Sequence, residues 1–521
     1  MRLAALDLGS NSVHLLVVEA HPDGTFAPLL AEKEMLRLGD VVTRAGRVTA
    51  TALDGLLTAV GRFVALARAN GAEEIVAKAT AALREAENGG DVVDRIESTT
   101  GVRVEVISGV EEARLIFGAV RGSVVVDQGP VVGIDLGGGS LEVMVGNADG
   151  LLWATSVRLG VARLTAELVS SDPVSGRDRR RLRQFIMSVL APVAAEVDAY
   201  APKVLIGTSG TLMDLAAMAV AATGAPVPES VNQLTVTREQ LEVVHEEVMR
   251  RPVAARRRLP GLDARRADLI PAGSMVLMTA MELFAMDALT VSDWALREGI
   301  VLDTIARHDI ADWSDDPREI RRSSVLNLCR RCSWDERHGR QVSRLALSLF
   351  DQLRDVHGLG PDERELLGYA ALLHDIGEHV SVEGHHKHTA YLIQHGRLRG
   401  FDPREVALLA CVGRFHRRGE PKSSYALFAE LDTADRELVT RLVALLRLAD
   451  GLDRSHLGTV DRVHVGRGMG GEVTLGIEAQ GDADLQLWGV RRKRELFERV
   501  FGVPVVAAEL PELPLAAAAD G

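Results

Sequence analysis

Asp7-Leu8-Gly9-Ser10-Asn11-Ser12 and Asp135-Leu136-Gly137-Gly138-Gly139-Ser140 decide how this chain is read, because each lies between two strand-like apolar runs. Leu3-Ala4-Ala5-Leu6 precedes the first and Val13–Val18 follows it; Val131-Val132-Gly133-Ile134 and Leu141–Val145 flank the second in the same way. Each segment therefore predicts the turn of a β-hairpin. Glycines at such turns permit positive φ and close backbone approach, so that several N–H groups converge on phosphate oxygens, and the Ser and Asn side chains add donors. An aspartate beside phosphate repels it unless a hard cation lies between them, so Asp7 and Asp135 predict Mg²⁺, held directly or through water. One Asp-x-Gly turn alone is usually an ordinary hairpin; two with matching flanks predict the halves of one phosphate clamp.

The duplication resembles the actin, sugar-kinase and heat-shock ATPase superfamily, in which two related α/β lobes face each other across a phosphate-binding cleft. With Ile107–Phe117, Gly207-Thr208-Ser209-Gly210-Thr211 and Leu296-Arg297-Glu298-Gly299 in order along the chain, the resemblance narrows to the exopolyphosphatase/guanosine pentaphosphate phosphatase family. It implies a Mg²⁺-dependent hydrolase that removes terminal orthophosphate from inorganic polyphosphate, guanosine pentaphosphate or both, and that works as a homodimer. Phosphate contacts are expected from Ser10, Asn11, Ser12, Gly137, Gly138, Gly139 and Ser140, and from Gly207, Ser209 and Gly210. Ser108-Gly109 followed by Glu111-Glu112 reads as a helix start, where carboxylates also favour the helix dipole, and two adjacent glutamates cannot face the same way. By the resemblance, Glu112 is the base that activates water, Glu142 is a second site carboxylate holding metal or water, and Arg84 contacts phosphate.

At 521 residues the chain is too long for one core, and its 47% hydrophobic content supplies several. No apolar run reaches the length of a membrane span, and Met1 leads straight into a strand without a charged-then-apolar leader. A cytoplasmic enzyme with neither membrane nor nucleic acid as partner is expected. Three cysteines exclude a disulfide framework, and Cys329-Arg-Arg-Cys332 is half a zinc site without its other half, so both are expected as partly buried helix residues. The net charge of −13 opposes a polyanion. Basic clusters at Arg177–Arg183, Arg256–Arg258, Arg321-Arg322, Arg330-Arg331 and Arg491–Arg494 either track a phosphate chain or are solvated helix faces.

The fold class expected is α/β: two actin-like, ribonuclease H-like lobes at 1–126 and 127–308, a mostly helical HD-like domain at 318–454, and a small mixed region at 460–510. A proline-containing linker is placed at 311–318 and a frayed tail from Pro511. His374-Asp375, with His338 upstream and Asp450 downstream, reproduces the residue order of the HD-domain metal phosphohydrolases. Each lies on an apolar helical stripe, and polar groups on inward faces need mutual satisfaction or a metal. Imidazoles with carboxylates suit a divalent transition metal or Mg²⁺, and His385, His386, His388 and His416 extend the set to a second ion. In the resembling family this domain is often degenerate and binds the phosphate chain, whereas here the motif is complete. Two other readings stand beside the hydrolase. In one, an actin-like kinase or scaffold uses Gly207–Gly210 against adenosine; in the other, the lobes sense polyphosphate or alarmone while the HD-like domain hydrolyses it.

Overall fold

The computed structural model describes residues 1–21, 25–126, 129–308, 317–417, 419–468, 471–481 and 483–509. The expected linker, apart from Pro317 and Arg318, and the tail from Pro511 lie outside the described residues. The chain forms two compact units, residues 1–321 with 399–403, and 322–398 with 404–521.

The first unit holds two sheets built alike. Strands β1 (Arg2–Leu8), β2 (Ser12–Ala20), β3 (Phe26–Met35), β4 (Glu74–Ala79) and β5 (Val104–Val106) run in the order β3-β2-β1-β4-β5. Strands β6 (Val131–Leu136), β7 (Leu141–Asn147), β8 (Gly150–Val157), β9 (Val204–Thr208), β10 (Thr235–Thr237) and β11 (Ala288–Val291) run in the order β10-β11-β9-β6-β7-β8. Each sheet has a three-strand antiparallel meander whose first strand is extended by two parallel neighbours, and β10 is added at one edge. Both predicted hairpins form, and their registers match: Asp7 lies opposite His14 and Asp135 opposite Glu142. The central strands are buried nearly throughout, which accounts for their continuous apolar runs.

Helix Ala50–Ala69 is capped by Thr49 and ends at Asn70-Gly71, with Gly71 at φ 76°. Over 18 residues it matches a membrane span by length and composition, which corrects the expectation that no such run exists. Its Leu56, Val60, Phe63, Val64 and Ala67 stripe is nevertheless buried in the core of the first sheet. Helices Gly109–Arg121 and Leu296–Arg307 bring Leu115, Ile116, Phe117, Ile300 and Ile305 into a core shared by β1, β2, β6 and β7. They cross so closely that a Cβ on Gly299 would stand 2.1 Å from the Leu115 carbonyl oxygen.

The second unit is led by helices Glu336–Gln352, Pro361–Leu373, His385–His395, Pro403–Phe415 and Thr433–Leu452. The mixed region that follows is a three-stranded sheet, β12 (Val460–Arg467), β13 (Val473–Ala479) and β14 (Val505–Glu509), with helices Asp484–Lys493 and Glu495–Phe501 between its last two strands. Cys329 and Cys332 are fully buried rather than partly so, Cys332 lies just past the helix that ends at Arg331, and burial pushes both thiols up. The basic clusters divide. Arg256 is buried against Asp172 and the Ala267 carbonyl and so is closed to an external phosphate chain, whereas Arg183 pairs with Glu282 at the surface and Arg491 and Arg492 are exposed.

Candidate active site

The two loops meet across a cavity of about 300 Å³ in the first unit. Asp7, Ser10, Asn11 and Ser12 line it from one side and Asp135, Gly137, Gly138, Gly139 and Ser140 from the other, with Glu112, Ser209 and Gly210 completing the predicted set. Each loop is closed by the same bond: the Gly9 N–H donates to the Ser12 carbonyl at 3.1 Å, and the Gly137 N–H to the Ser140 carbonyl at 3.0 Å. The expected reason for the glycines needs correcting, because none of Gly9, Gly137, Gly138 and Gly139 adopts positive φ. Space is what requires them. A Cβ on Gly139 would stand 2.8 Å from Ser10 Oγ, and one on Gly138 would stand 3.2 Å from Asn11 Cβ. Gly160, which no sequence pattern singles out, supports the second loop from behind; its Cβ would fall 2.2 Å from the Gly139 carbonyl carbon. Gly207 is not among the residues that line the cavity. It lies within β9, where a Cβ would press on Leu289 and Leu212, and Thr208 takes the place at the cavity wall.

The adjacent glutamates part as the helix requires. Ser108 caps the helix by accepting from the Glu111 N–H at 3.1 Å, and Glu111 turns outward to Arg114. Glu112 turns inward, 6% exposed, and accepts from Arg84 Nη1 at 3.1 Å. Arg84 also donates to the Ile107 carbonyl at 2.8 Å, so its guanidinium stands behind Glu112 and orients it, outside the residues that line the cavity. Glu142 is 1% exposed, also behind the cavity wall, and accepts from Ser156 Oγ at 2.7 Å.

Burial lifts the Asp7 carboxyl to about 7, against the pull of Arg297. Asp135 rises well above the usual carboxylate range through burial, then the charges of Glu142 and Asp7. Glu112 rises well above it through burial and the Glu142 charge, with Arg84 pulling back, and burial raises Glu142 against its bonds to Ser156 and Ser140. Asp7 Oδ1, Asp135 Oδ1 and Glu142 Oε2 are buried without a hydrogen-bond partner. Mutually repelling carboxylates with unused oxygens are the kind of donors that a hard divalent cation takes.

His14, Lys33, Thr80, Arg266 and Arg297 also line the cavity, none of them among the site residues expected from sequence. His14 holds in the first hairpin the place that Glu142 holds in the second, a correspondence visible once the register is known. Glu298 accepts from Arg297 Nε at 2.6 Å, Arg297 lies 3.5 Å from His14 Nδ1, and His14 Nε2 lies 2.7 Å from Ser12 Oγ. Burial and then Arg297 hold His14 well below its ordinary pKa, so it stays neutral and donates Nε2–H to Ser12. The Ser12 hydroxyl hydrogen is thereby left for the cavity.

A second cavity, about 320 Å³, lies in the helical unit and is lined by His338, His374, Asp375, Trp334, Glu378 and His456 among others. Nδ1 of His374, His385 and His416 donates to the carbonyls of Ala371, Val382 and Gly413, and Nδ1 of His338 to Asp453, at 2.7–3.1 Å. All four Nε2 atoms consequently turn inward, toward Asp375 and one another. His374 Nε2, His385 Nε2 and His416 Nε2 lie 3.3, 3.2 and 3.1 Å from the Asp375 carboxylate, and the His338 and His374 Nε2 atoms are 3.2 Å apart. Converging Nε2 atoms around a carboxylate are the donor set a divalent cation takes from neutral imidazoles, and the Nδ1 bonds are those that orient metal-ligating imidazoles. Asp450 joins His338 and His374 in this arrangement, and His385 and His416 join Asp375. Of the additional histidines proposed from sequence, His386 and His388 are not in these groups, while His456, stacked on His338 with centroids 3.6 Å apart, is a member that sequence did not suggest.

The description Ppx/GppA phosphatase family matches residues 17–308, and Ppx/GppA phosphatase, domain III, matches residues 320–474. Exopolyphosphatase 1 of Mycobacterium leprae is 37% identical over 303 residues, which is 58% of this chain and 89% of the relative. A guanosine-5'-triphosphate,3'-diphosphate pyrophosphatase of Vibrio vulnificus is 28% identical over 484 residues, 92% of each chain. Among solved structures, an exopolyphosphatase from Cytophaga hutchinsonii superposes with TM-score 0.56 at 26% identity, covering 60% of this chain and 100% of that one. The Aquifex aeolicus Ppx/GppA family member gives TM-score 0.52 at 28% identity, covering 59% and 99%.

Proposed function

This chain belongs to the Ppx/GppA phosphatase family, and from that premise we propose that it is a Mg²⁺-dependent phosphoanhydride hydrolase releasing terminal orthophosphate from inorganic polyphosphate, guanosine pentaphosphate or both. The observation that carries this reading is Glu112, inward, buried and fixed by Arg84, at the wall of a cavity closed on two sides by phosphate-type loops. The backbones of both loops, with Ser10, Asn11, Ser12 and Ser140, hold the terminal phosphate. Glu112 takes a proton from water as the water oxygen bonds to phosphorus, and the bridging P–O bond breaks with its electrons leaving on the shortened chain. Burial and the Glu142 charge raise its proton affinity, the direction that strengthens a base. Mg²⁺, when bound by Asp7, Asp135 and Glu142, would offset charge on the phosphate oxygens.

Phosphate release measured in parallel on long polyphosphate, guanosine pentaphosphate and ATP, with and without Mg²⁺, tests this. Mg²⁺-dependent release from one or both of the first two is expected, and none from either overturns the reading. The loops carry their own prediction. Asn11→Ala removes a donor to a charged oxygen, about 1.5–3 kcal/mol, and should raise KM roughly ten- to hundredfold. Gly138→Val forces the loops apart and should do at least as much. Unchanged KM in both removes the clamp.

We also propose that His338, His374, Asp375 and Asp450 hold a divalent transition metal, on the strength of their converging Nε2 and carboxylate atoms. His374→Ala with Asp375→Ala deletes the centre of that set but leaves the cleft of the first unit intact. Release from short polyphosphate should stay within about threefold of the parent if Glu112 carries the chemistry. Metal content and thermal unfolding are measured alongside, because metal bound only by the native state stabilises it. A folded double variant without residual hydrolysis moves the active site to the helical unit.

A further inference from the structure

Asp450 is a member of the proposed metal set that a cation already occupies. It lies near the end of helix Thr433–Leu452 with its carboxylate buried. Helix Asp484–Lys493 crosses that helix where Gly489 meets Gly451; a Cβ on Gly489 would stand 2.2 Å from the Gly451 carbonyl oxygen, so the two backbones touch. Lys493 is four residues beyond Gly489 and thus on the same helical face, while Asp450 immediately precedes Gly451. The crossing delivers the Lys493 ammonium onto Asp450 Oδ2 as an ion pair. A second cation, Arg447, lies one turn earlier on the helix of Asp450, its guanidinium bound to the carbonyls of Phe415 and Gly419.

An ammonium can neutralise Asp450, but it cannot accept the imidazole lone pairs. The donor atoms of His338, His374 and Asp450 lie within 4.8 Å of one another, so a divalent ion drawn in by the imidazoles needs the carboxylate that Lys493 holds. Lys493 takes Oδ2, and an ion on the same carboxylate would stand close to a like charge in a buried site, where the two repel. Lys493 is the partner able to leave: its side chain is 16% exposed against 7% for Asp450, and its flexible stem places the ammonium in water without breaking other bonds. Resting on the metal reading above, we propose that Lys493 is an internal cation holding the Asp450 ligand position, displaced when a divalent transition metal enters between His338, His374 and Asp375. Displacement removes a pin at the C-terminal end of helix Asp484–Lys493. Arg494, the next residue, donates to the Val505 carbonyl of β14. Metal occupancy is thereby coupled to the three-stranded sheet.

The test uses the full chain and Mn²⁺. Lys493 is one of only six lysines among the 60 Lys and Arg residues, so amine labelling read by mass spectrometry is simple to assign, with the exposed Lys203 as internal control. Uptake by His374→Ala is subtracted to remove Mn²⁺ bound in the first unit. Lys493→Met should bind Mn²⁺ at least about tenfold more tightly than the parent, because the competing charge is gone. In the parent, Lys493 labelling should rise several-fold on Mn²⁺ addition while Lys203 labelling stays constant. If Mn²⁺ binds the helical unit but affinity is equal in Lys493→Met, or Lys493 labelling does not change, the displacement is overturned and the metal reading survives. If neither parent nor Lys493→Met takes up more Mn²⁺ than His374→Ala, both fall. Should Lys493→Met fail to fold, labelling of the parent decides alone.

Discussion

Glu112→Gln should lower turnover on polyphosphate by about 10²-fold or more while leaving substrate binding nearly unchanged. The amide has the size of the carboxylate, and its oxygen still accepts from Arg84 Nη1, so the geometry of the wall is kept and only basicity is lost. Stability should not fall. Glu142 is the charge that, after burial, raises Glu112 most, and the neutral amide relieves that repulsion. Glu111→Gln should cost far less, because Glu111 faces away from the cavity and is engaged by Arg114. Single-turnover phosphate release and polyphosphate binding, measured on both variants, check the ranking. Equal rates in Glu112→Gln and the parent remove Glu112 from the mechanism, and the reverse order assigns the base to Glu111.

The parts legible in the sequence are those that local pattern dictates. Two apolar-turn-apolar segments gave the hairpins, and the turn of a helix from one residue to the next set Glu112 and Glu111 facing different ways. What local pattern does not record is what a side chain meets after folding. Gly207 stands in a glycine-rich string yet is required by Leu289 and Leu212, residues distant in sequence or on the next helix. Arg84 has the chemistry of a phosphate ligand, but the carbonyl of Ile107 and the carboxylate of Glu112 converge on it first. Gly160 is needed only because the second loop lies against it. His14 becomes legible once β1 and β2 are paired and Asp7 is seen to face it as Asp135 faces Glu142. In the helical unit the histidine and aspartate order was readable, whereas Lys493 was hidden inside an Arg-Arg-Lys-Arg run whose exposed members look like any solvated helix end.

Asp135→Ala should raise the Mg²⁺ concentration needed for half-maximal phosphate release by about tenfold or more, since it deletes a carboxylate of the proposed cation set. The same variant should change the dependence of stability on pH, and the sign is fixed. Asp7 moves from its ordinary 3.8 to about 7 in the fold, and Asp135 moves upward too, so the native state binds more protons than the unfolded chain in the window above 3.8. Stability contributed by these groups is complete below that window and is lost as pH rises through about 7. Without divalent cations, Tm of the parent should therefore fall between about pH 5 and pH 8, and it should fall less in Asp135→Ala, where one repelling carboxylate is gone. Mg²⁺ binds the ionised carboxylates, so it should raise Tm of the parent more at pH 8 than at pH 5, and raise that of Asp135→Ala little at either. Thermal unfolding of both proteins across that range, in chelator and in Mg²⁺, measures all four slopes. Equal slopes with an unchanged Mg²⁺ requirement would mean that Asp135 neither repels its neighbours nor holds the cation. Burial of Asp7, Asp135 and Glu142 would then stand as a cost to folding with no ligand to offset it. A metal-linked difference between the slopes would instead identify that cost as the one that Mg²⁺, by binding the ionised carboxylates, offsets.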